Sequence, residues 1–393
     1  MRVLLAGPYP IPPRASKGGI ETAVSLLAHG LSGMPALEVH VATVAFDEHG
    51  RYGPWDGRVR LHVLHSRQAT SQLRRYHLPR QWLGRVADSI EPDLVHVHGT
   101  NFYGAACTTM PYPCVLTVHG LHGREARLDF SDSSLAWRLY RRTKGAFNER
   151  FERETLARAD DIISISPYIK RELINTNCRL YSVANPVADR FYSLPDEADP
   201  GRVLFVGAIH ARKGLIPLLR ALSLARDEVA DVRLVIVGAV HSSDYRQAVE
   251  SEMKRLHLDG AVEWRGHVPD AQLDKEYARA AVVVLPSQEE SAPFALQQAM
   301  AAAKPVVATR VGGIPHIVQH DQTGILVSYG DVPALAQALR RLLRDEAMRV
   351  RFGAAARQVA RERFELKTIL QQTVHVYQSI ITQVALRGSA RPR

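Results

Sequence analysis

Cysteine is scarce: Cys107, Cys114 and Cys178 are the whole complement of the 393-residue chain, and no two are spaced as C-x-x-C. An odd, dispersed set excludes a disulfide scaffold and a structural zinc ribbon, and a reducing cytoplasm is the expected setting. Long apolar runs are missing as well. Stretches such as Ala280–Pro286 have the length of a buried strand, well short of the ~20 residues that cross a bilayer, so any membrane contact is expected to be peripheral. The opening MRVLLAGPYP carries one arginine and five apolar or small residues before Gly7-Pro8, which reads as a first strand and not as a targeting signal. No Asp-x-Asp pair, a common ligand pattern for a divalent ion, is present.

What the chain does contain is ordinary globular material, 46% hydrophobic and 23% charged, at a length suited to two domains. Fifty Lys and Arg against forty Asp and Glu leave a net charge of +10, which favours anionic partners without choosing among them. Short β-branched runs alternate with helix-length segments, the pattern of a parallel α/β sheet. Val3–Ala6, Val39–Val44, Leu61–Leu64, Leu94–Val97, Val115–Val118, Ile162–Ile165 and Tyr181–Val183 form a first set. Val203–Val206, Leu234–Val237, Val262–Trp264, Val282–Leu285, Val306–Ala308 and Ile325–Val327 form a second. Two Rossmann-like, doubly wound domains are expected, residues 1–186 and 187–365. Asn185–Gly201, with three prolines and four acids, reads as an exposed linker between them. An apolar-spaced helix over Leu366–Leu386 is expected to pack back on the first domain, followed by a flexible tail, 387–393.

The densest chemical signal is Leu285-Pro-Ser-Gln-Glu-Glu-Ser-Ala-Pro-Phe-Ala-Leu-Gln-Gln-Ala-Met-Ala-Ala-Ala-Lys-Pro. A buried strand ends, a loop carries two carboxylates, and a small-residue helix starts near Pro293. Sites of open α/β sheets lie at this carboxyl end of the strands, where helix N-termini offer free N–H groups to anions.

This segment resembles the retaining glycosyltransferases of family 4, which share the two-domain GT-B fold with both domains facing a cleft. The resemblance places the first glutamate of the family's E-x7-E motif on Glu290, where it would hold donor-sugar hydroxyls, and the second on Gln298, a ribose contact here without its charge. It places donor contacts on Ser291, Pro293, Phe294 and Ala295. Lys17-Gly-Gly-Ile-Glu21 is similar to the family's Gly-Gly-x-E loop, so Gly18 and Gly19 would approach the donor phosphates. Val203-Leu-Phe-Val-Gly-Ala-Ile-His-Ala-Arg-Lys-Gly214 is similar to its phosphate loop, with Gly207 and Lys213 in place; Ala208 stands where the family has arginine, and Arg212 is either a substitute cation or solvent-facing. His119, at the end of Val115-Leu-Thr-Val-His-Gly120, matches the histidine that faces the donor sugar. Val262-Glu-Trp-Arg-Gly-His-Val-Pro269 matches the loop along the nucleotide base, with His267 beside it and Trp264 expected in the core. His96 and His98, two apart on one strand, share a face and are expected to serve packing or substrate contact, not zinc. His316 replaces the acid of a Pro-Glu pair, and the sequence offers no reason for the swap.

The implied activity is metal-independent, retaining sugar transfer from a nucleotide sugar to an acceptor hydroxyl by a front-face displacement, with no cofactor and with His119, Glu290 and Lys213 as the catalytic set. The acceptor would be a glycan, a lipid-linked intermediate or a small metabolite. Arg58, Arg60, Arg67, Arg74, Arg75, Arg80 and Arg85, interleaved with apolar residues, and a second run over Arg138–Lys144 are consistent either with the inner face of an anionic membrane or with a plain solvated face. Nucleic acid is not expected, for lack of a recognisable module. A weakly catalytic or non-catalytic sugar-nucleotide binder and a GT-B epimerase are the alternatives.

Overall fold

A computed structural model describes residues 1–11, 16, 18–46, 55–68, 71, 74–121, 135–173, 177–229 and 231–389. They form two compact units, one built from the N-terminal half together with Leu366–Ser389, the other centred on Val187–Glu365.

The sheet of the first unit contains β1 (Arg2–Ala6), β2 (Glu38–Phe46), β3 (Trp55–Asp56), β4 (Val59–Ser66), β5 (Leu94–His98), β6 (Cys114–Val118), β7 (Asp161–Ser164) and β8 (Arg179–Ser182). Its order is β3-β4-β2-β1-β5-β6-β7-β8. All neighbours are parallel except β3, a two-residue edge strand antiparallel to β4 and too short to register in the sequence pattern. One face is covered by the Gly19–Ser32 and Leu366–Ser389 helices. Val24, Leu27 and Leu31 of the former and Ile369, Tyr377 and Ile380 of the latter join Val3, Leu5, Val39, Val41 and Val115 in one core. Each such aliphatic burial contributes about 1.5–3 kcal/mol, so the C-terminal helix is an integral layer of this unit.

The second unit contains β9 (Arg202–Val206), β10 (Arg233–Val237), β11 (Val262–Gly266), β12 (Val282–Leu285), β13 (Val306–Thr309) and β14 (Gly324–Val327), ordered β11-β10-β9-β12-β13-β14 and parallel throughout. Two expectations change here. Apart from Asp189, the stretch expected as an exposed linker is exposed only from Ser193 onward. Asn185, Val187, Phe191 and Tyr192 are buried, Val187 bridges to Glu365, and Asp189–Ser193 is a 3₁₀ turn held by Tyr192 Oη donating to Ala360 O at 3.0 Å. The aromatic pair outweighs the turn-forming prolines around it. Trp264 lies on β11, the edge strand, is only half-buried, and carries the Arg246 guanidinium 5.0 Å above its ring, so it is not a core residue.

Candidate active site

Strand order locates the site in each unit. In the second sheet the chain winds outward from β9 through β10 to β11, then returns to β12 on the other side of β9. The crevice at the carboxyl ends of β9 and β12 is a topological switch point, where open α/β sheets bind ligands. In the first sheet the same reversal falls between β1 and β5.

At the β9/β12 switch point two loops meet through their main chains. The loop after β9 closes as a 3₁₀ turn, Ala211–Lys213, and ends on Gly214 at φ +71°. A Cβ there would lie 2.1 Å from the Pro286 carbonyl oxygen, so only glycine lets the turn sit on the end of β12. Gln288 N donates to Arg212 O at 2.8 Å. On the other side, Gly313 N donates to Glu290 O at 2.7 Å, and Gly312, at φ +48°, comes so close that a Cβ would lie 2.1 Å from that same oxygen. The acidic loop is therefore held from both sides by backbone, and Glu290 is delivered buried and in one place.

Lys213 Nζ donates to Glu290 Oε1 at 2.5 Å, joining residues 77 positions apart. Burial pushes the Glu290 carboxyl up, but the Lys213 and Arg212 charges outweigh it and hold the group below its ordinary value. Arg212 Nη1 donates to Glu289 O at 3.1 Å and its side chain is half-buried, so of the two sequence readings the structure does not support the solvent-facing one. Gly207 directly follows β9, its N–H bonded to Val237 O. The His210 and His241 rings stack beside this turn at 6.2 Å, and the His241 imidazole is shifted down by burial and by Lys213.

Pro293 caps the Phe294–Ala301 helix without a side-chain bond, so its first N–H groups have no intrahelical acceptor. Ser291, Phe294 and Ala295 are partly exposed around this end. Gln298 is buried, and its Oε1 lies 3.1 Å from the hydroxyl of Tyr277, which is also 3.1 Å from Ala295 O. Tyr277 was not singled out in the sequence; its place in a helix facing Gln298 leaves no local mark. His267 is exposed just past β11, two strands away from β9. His316 is half-buried; its carbonyl accepts from Arg363 at 2.6 Å, which explains its backbone but not the imidazole.

In the first unit Gly18 caps the Gly19–Ser32 helix in extended conformation, and a Cβ on it would meet nothing within 4 Å. The fold thus does not require glycine at 18. Lys17 lies outside the described residues. Across the switch point, β5 and β6 bring three histidines together. His96 is buried with both nitrogens engaged, Nδ1 2.6 Å from Tyr377 Oη and Nε2 2.7 Å from Thr117 Oγ1, which explains why it serves packing. His98 Nδ1 lies 3.0 Å from His119 Nε2, with the rings stacked at 5.3 Å. Burial lowers the His119 pKa to about 4. Among the described residues no group of three His, Cys, Asp or Glu is placed to hold a metal ion. Of the basic stretch, Arg58, Arg67, Arg74, Arg75 and Arg85 are exposed, Arg60 pairs with Glu38 at 3.4 Å, and Arg80 sits over the Phe151 ring. The side chains of Arg138–Lys144 lie outside the described residues. No helix among the described residues is long and apolar enough to cross a membrane.

Comparison with known proteins follows this division. Residues 17–189 match Glycosyltransferase Family 4, and residues 191–359 match Glycosyl transferases group 1. An uncharacterized glycosyltransferase of Methanocaldococcus jannaschii is 32% identical over 185 residues, 47% of this chain and 46% of that protein. The matched segments span between 45% and 78% of the first curated relatives' own lengths. Among solved structures, sucrose-phosphate synthase from Thermosynechococcus elongatus superposes with a TM-score of 0.78 at 21% identity, covering 97% of this chain and 99% of that one. The Anabaena HepE protein in complex with UDP-glucose superposes with a TM-score of 0.73 at 19% identity, covering 96% and 100%. With both halves matched in sequence and both sheets matched in structure, the chain belongs to the group 1, family 4 glycosyltransferases of GT-B fold.

Proposed function

We propose that the protein is a retaining glycosyltransferase that moves a sugar from a nucleotide-sugar donor to an acceptor hydroxyl without a bound metal. The observation that carries this reading is the Lys213–Glu290 pair at the β9/β12 switch point, beside the N-terminus of the Phe294–Ala301 helix. A diphosphate placed there meets the Lys213 ammonium, the Arg212 guanidinium and free helix N–H groups, preorganised donors for charge that develops on a leaving phosphate. Lys213 then exchanges a carboxylate partner for a phosphate one, and Glu290 gains acceptor capacity for sugar hydroxyls. In a front-face displacement the acceptor hydroxyl forms the new glycosidic bond on the side from which the phosphate leaves, and the departing phosphate oxygen takes the proton. No protein nucleophile enters. The complex of the Anabaena structure with UDP-glucose supports a nucleotide-sugar donor of this kind.

The test is a thermal-shift screen against UDP-, GDP-, ADP- and dTDP-sugars with and without a chelator, followed by determination of the product anomer. A donor-specific shift that survives chelation, is lost in Lys213→Ala, and leads to product of unchanged anomeric configuration is expected. An inverted product or a chelator-sensitive response overturns the retaining or metal-free part. Ala208 and Gln298 favour one second reading, a donor-binding protein of weak turnover; binding without product on any acceptor would select it.

A further inference from the structure

The histidine pair in the first unit is over-determined in a way that fixes its hydrogens. Side chains alternate along β5, so His96 and His98 share the face covered by the Leu366–Ser389 helix, and His98 stands in register with Thr117 of β6. His98 is fully buried, and Gly7 is packed against it so closely that a Cβ there would lie 3.0 Å from His98 Cβ. His96, its ring centroid only 4.2 Å away, has no nitrogen to offer, being committed to Tyr377 and Thr117. His98 therefore has one hydrogen bond, Nδ1 to His119 Nε2 at 3.0 Å; among the described residues no polar atom partners its Nε2.

Both imidazoles are neutral at ordinary pH, because burial lowers each one, His98 further through the neighbouring His96 and His119. A neutral imidazole carries one N–H, so the 3.0 Å contact admits two arrangements. If His119 Nε2–H donates, the proton of His98 is forced onto Nε2, a buried N–H with no acceptor. If His98 Nδ1–H donates, His98 Nε2 is left as a bare lone pair. Buried orphan N–H groups are the rarer of the two defects in folded proteins, and the second arrangement avoids one.

We infer that His98 is a positioning residue that holds His119 in the neutral Nδ1–H tautomer, leaving His119 Nδ1 as a fixed hydrogen-bond donor to an oxygen of the transferred sugar. The last clause rests on the sugar-transfer reading above; the tautomer assignment does not. The assignment is distinctive, since a neutral histidine side chain in water prefers its proton on Nε2. His119 is then a hydrogen-bond donor across the neutral range and not a base.

The experiment is long-range ¹H–¹⁵N correlation on the full chain labelled at histidine nitrogen, with the His119 signals identified by their loss in His119→Asn. The expected result is a single His119 tautomer, protonated at Nδ1 and bare at Nε2. In His98→Leu the donor is gone and the Nε2–H form should return; in His98→Asn the side-chain amide can donate to Nε2 and keep the Nδ1–H form. Donor affinity should follow the tautomer, falling ~10-fold in His98→Leu, the worth of one hydrogen bond, and recovering in His98→Asn. A wild-type His119 protonated at Nε2, or leucine and asparagine variants with the same tautomer, overturns the assignment, and the wild-type spectrum decides even if both variants fold poorly. The correct tautomer in a protein that responds to no nucleotide sugar would count against sugar transfer while leaving the His98–His119 assignment standing.

Discussion

Replacing Lys213 by methionine tests whether Lys213 and Glu290 form one electrostatic unit. In the wild type the Glu290 carboxyl sits below its ordinary value of 4.5 despite burial, because Lys213 and Arg212 offset the desolvation. A folded-state value below the unfolded one means a contribution to stability that is complete above the unfolded value and is lost as pH falls through the folded one. Lys213→Met removes the larger compensating charge, burial then dominates, and the shift inverts: the variant is penalised increasingly as pH rises. Removing one partner of a buried pair costs about 3–5 kcal/mol. Because Arg212 remains and the Lys213 side chain is 14% exposed, the lower end applies, about 3 kcal/mol near pH 7. For a unit of this size that is about 6–12 °C in melting temperature. The assay is urea unfolding of wild type, Lys213→Met, Glu290→Gln and the double variant between about pH 4.5 and pH 7.5, bracketing the shift. The deficit of Lys213→Met should shrink toward acid, and the double variant should be more stable than the sum of the singles predicts by about 1–3 kcal/mol. A deficit independent of pH together with additive singles would refute the reasoning.

Other outcomes follow from the same geometry. Gly312→Ala forces a side chain into the left-handed region and against the Glu290 carbonyl, and should lose more than the ~1–2 kcal/mol of that conformation alone, whereas Gly18→Ala should fold with unchanged stability; calorimetry on the two variants checks both. Gln298→Glu places an anionic acceptor where the amide oxygen meets Tyr277, and should tighten nucleotide binding several-fold if this side chain meets the ribose, charge-assisted hydrogen bonds being about twice as strong as neutral ones; titration calorimetry with the responding nucleotide would expose an error as unchanged affinity. Tyr377→Phe strands His96 Nδ1 in the core and should cost about 1–3 kcal/mol by chemical denaturation while leaving donor affinity intact.

The strands were legible because buried parallel strands are continuous β-branched runs, and β1, β9 and β12 read directly from Val3–Ala6, Val203–Val206 and Val282–Leu285. Which strands lie at the sheet edges was not. β3 has two residues, and Trp264 looked like core because strand order, which makes β11 an edge, is a long-range property. The buried half of Asn185–Gly201 was hidden by its prolines, although Phe191 and Tyr192 were there to argue otherwise. At the site, Glu290 and Lys213 came from resemblance to family motifs, but their contact across 77 residues could be seen only once β9 and β12 were neighbours. Likewise the shared face of His96 and His98 followed from alternation, whereas the different fates of the two rings depend on what β6 and the C-terminal helix bring to each.

The loops that carry Lys213 and Glu290 are fastened by main-chain bonds, Gln288 N to Arg212 O and Gly313 N to Glu290 O, and by two glycines pressed on carbonyl oxygens. Main-chain fastenings are indifferent to the side chains mounted on them. The frame can keep its shape while the residues at 208, 210, 289, 291 and 298 are exchanged, so this corner of the molecule separates scaffold from selectivity. If the proposed sugar transfer holds, variation in which nucleotide or sugar is accepted can accumulate there one substitution at a time, without each step having to rebuild the loop that presents it.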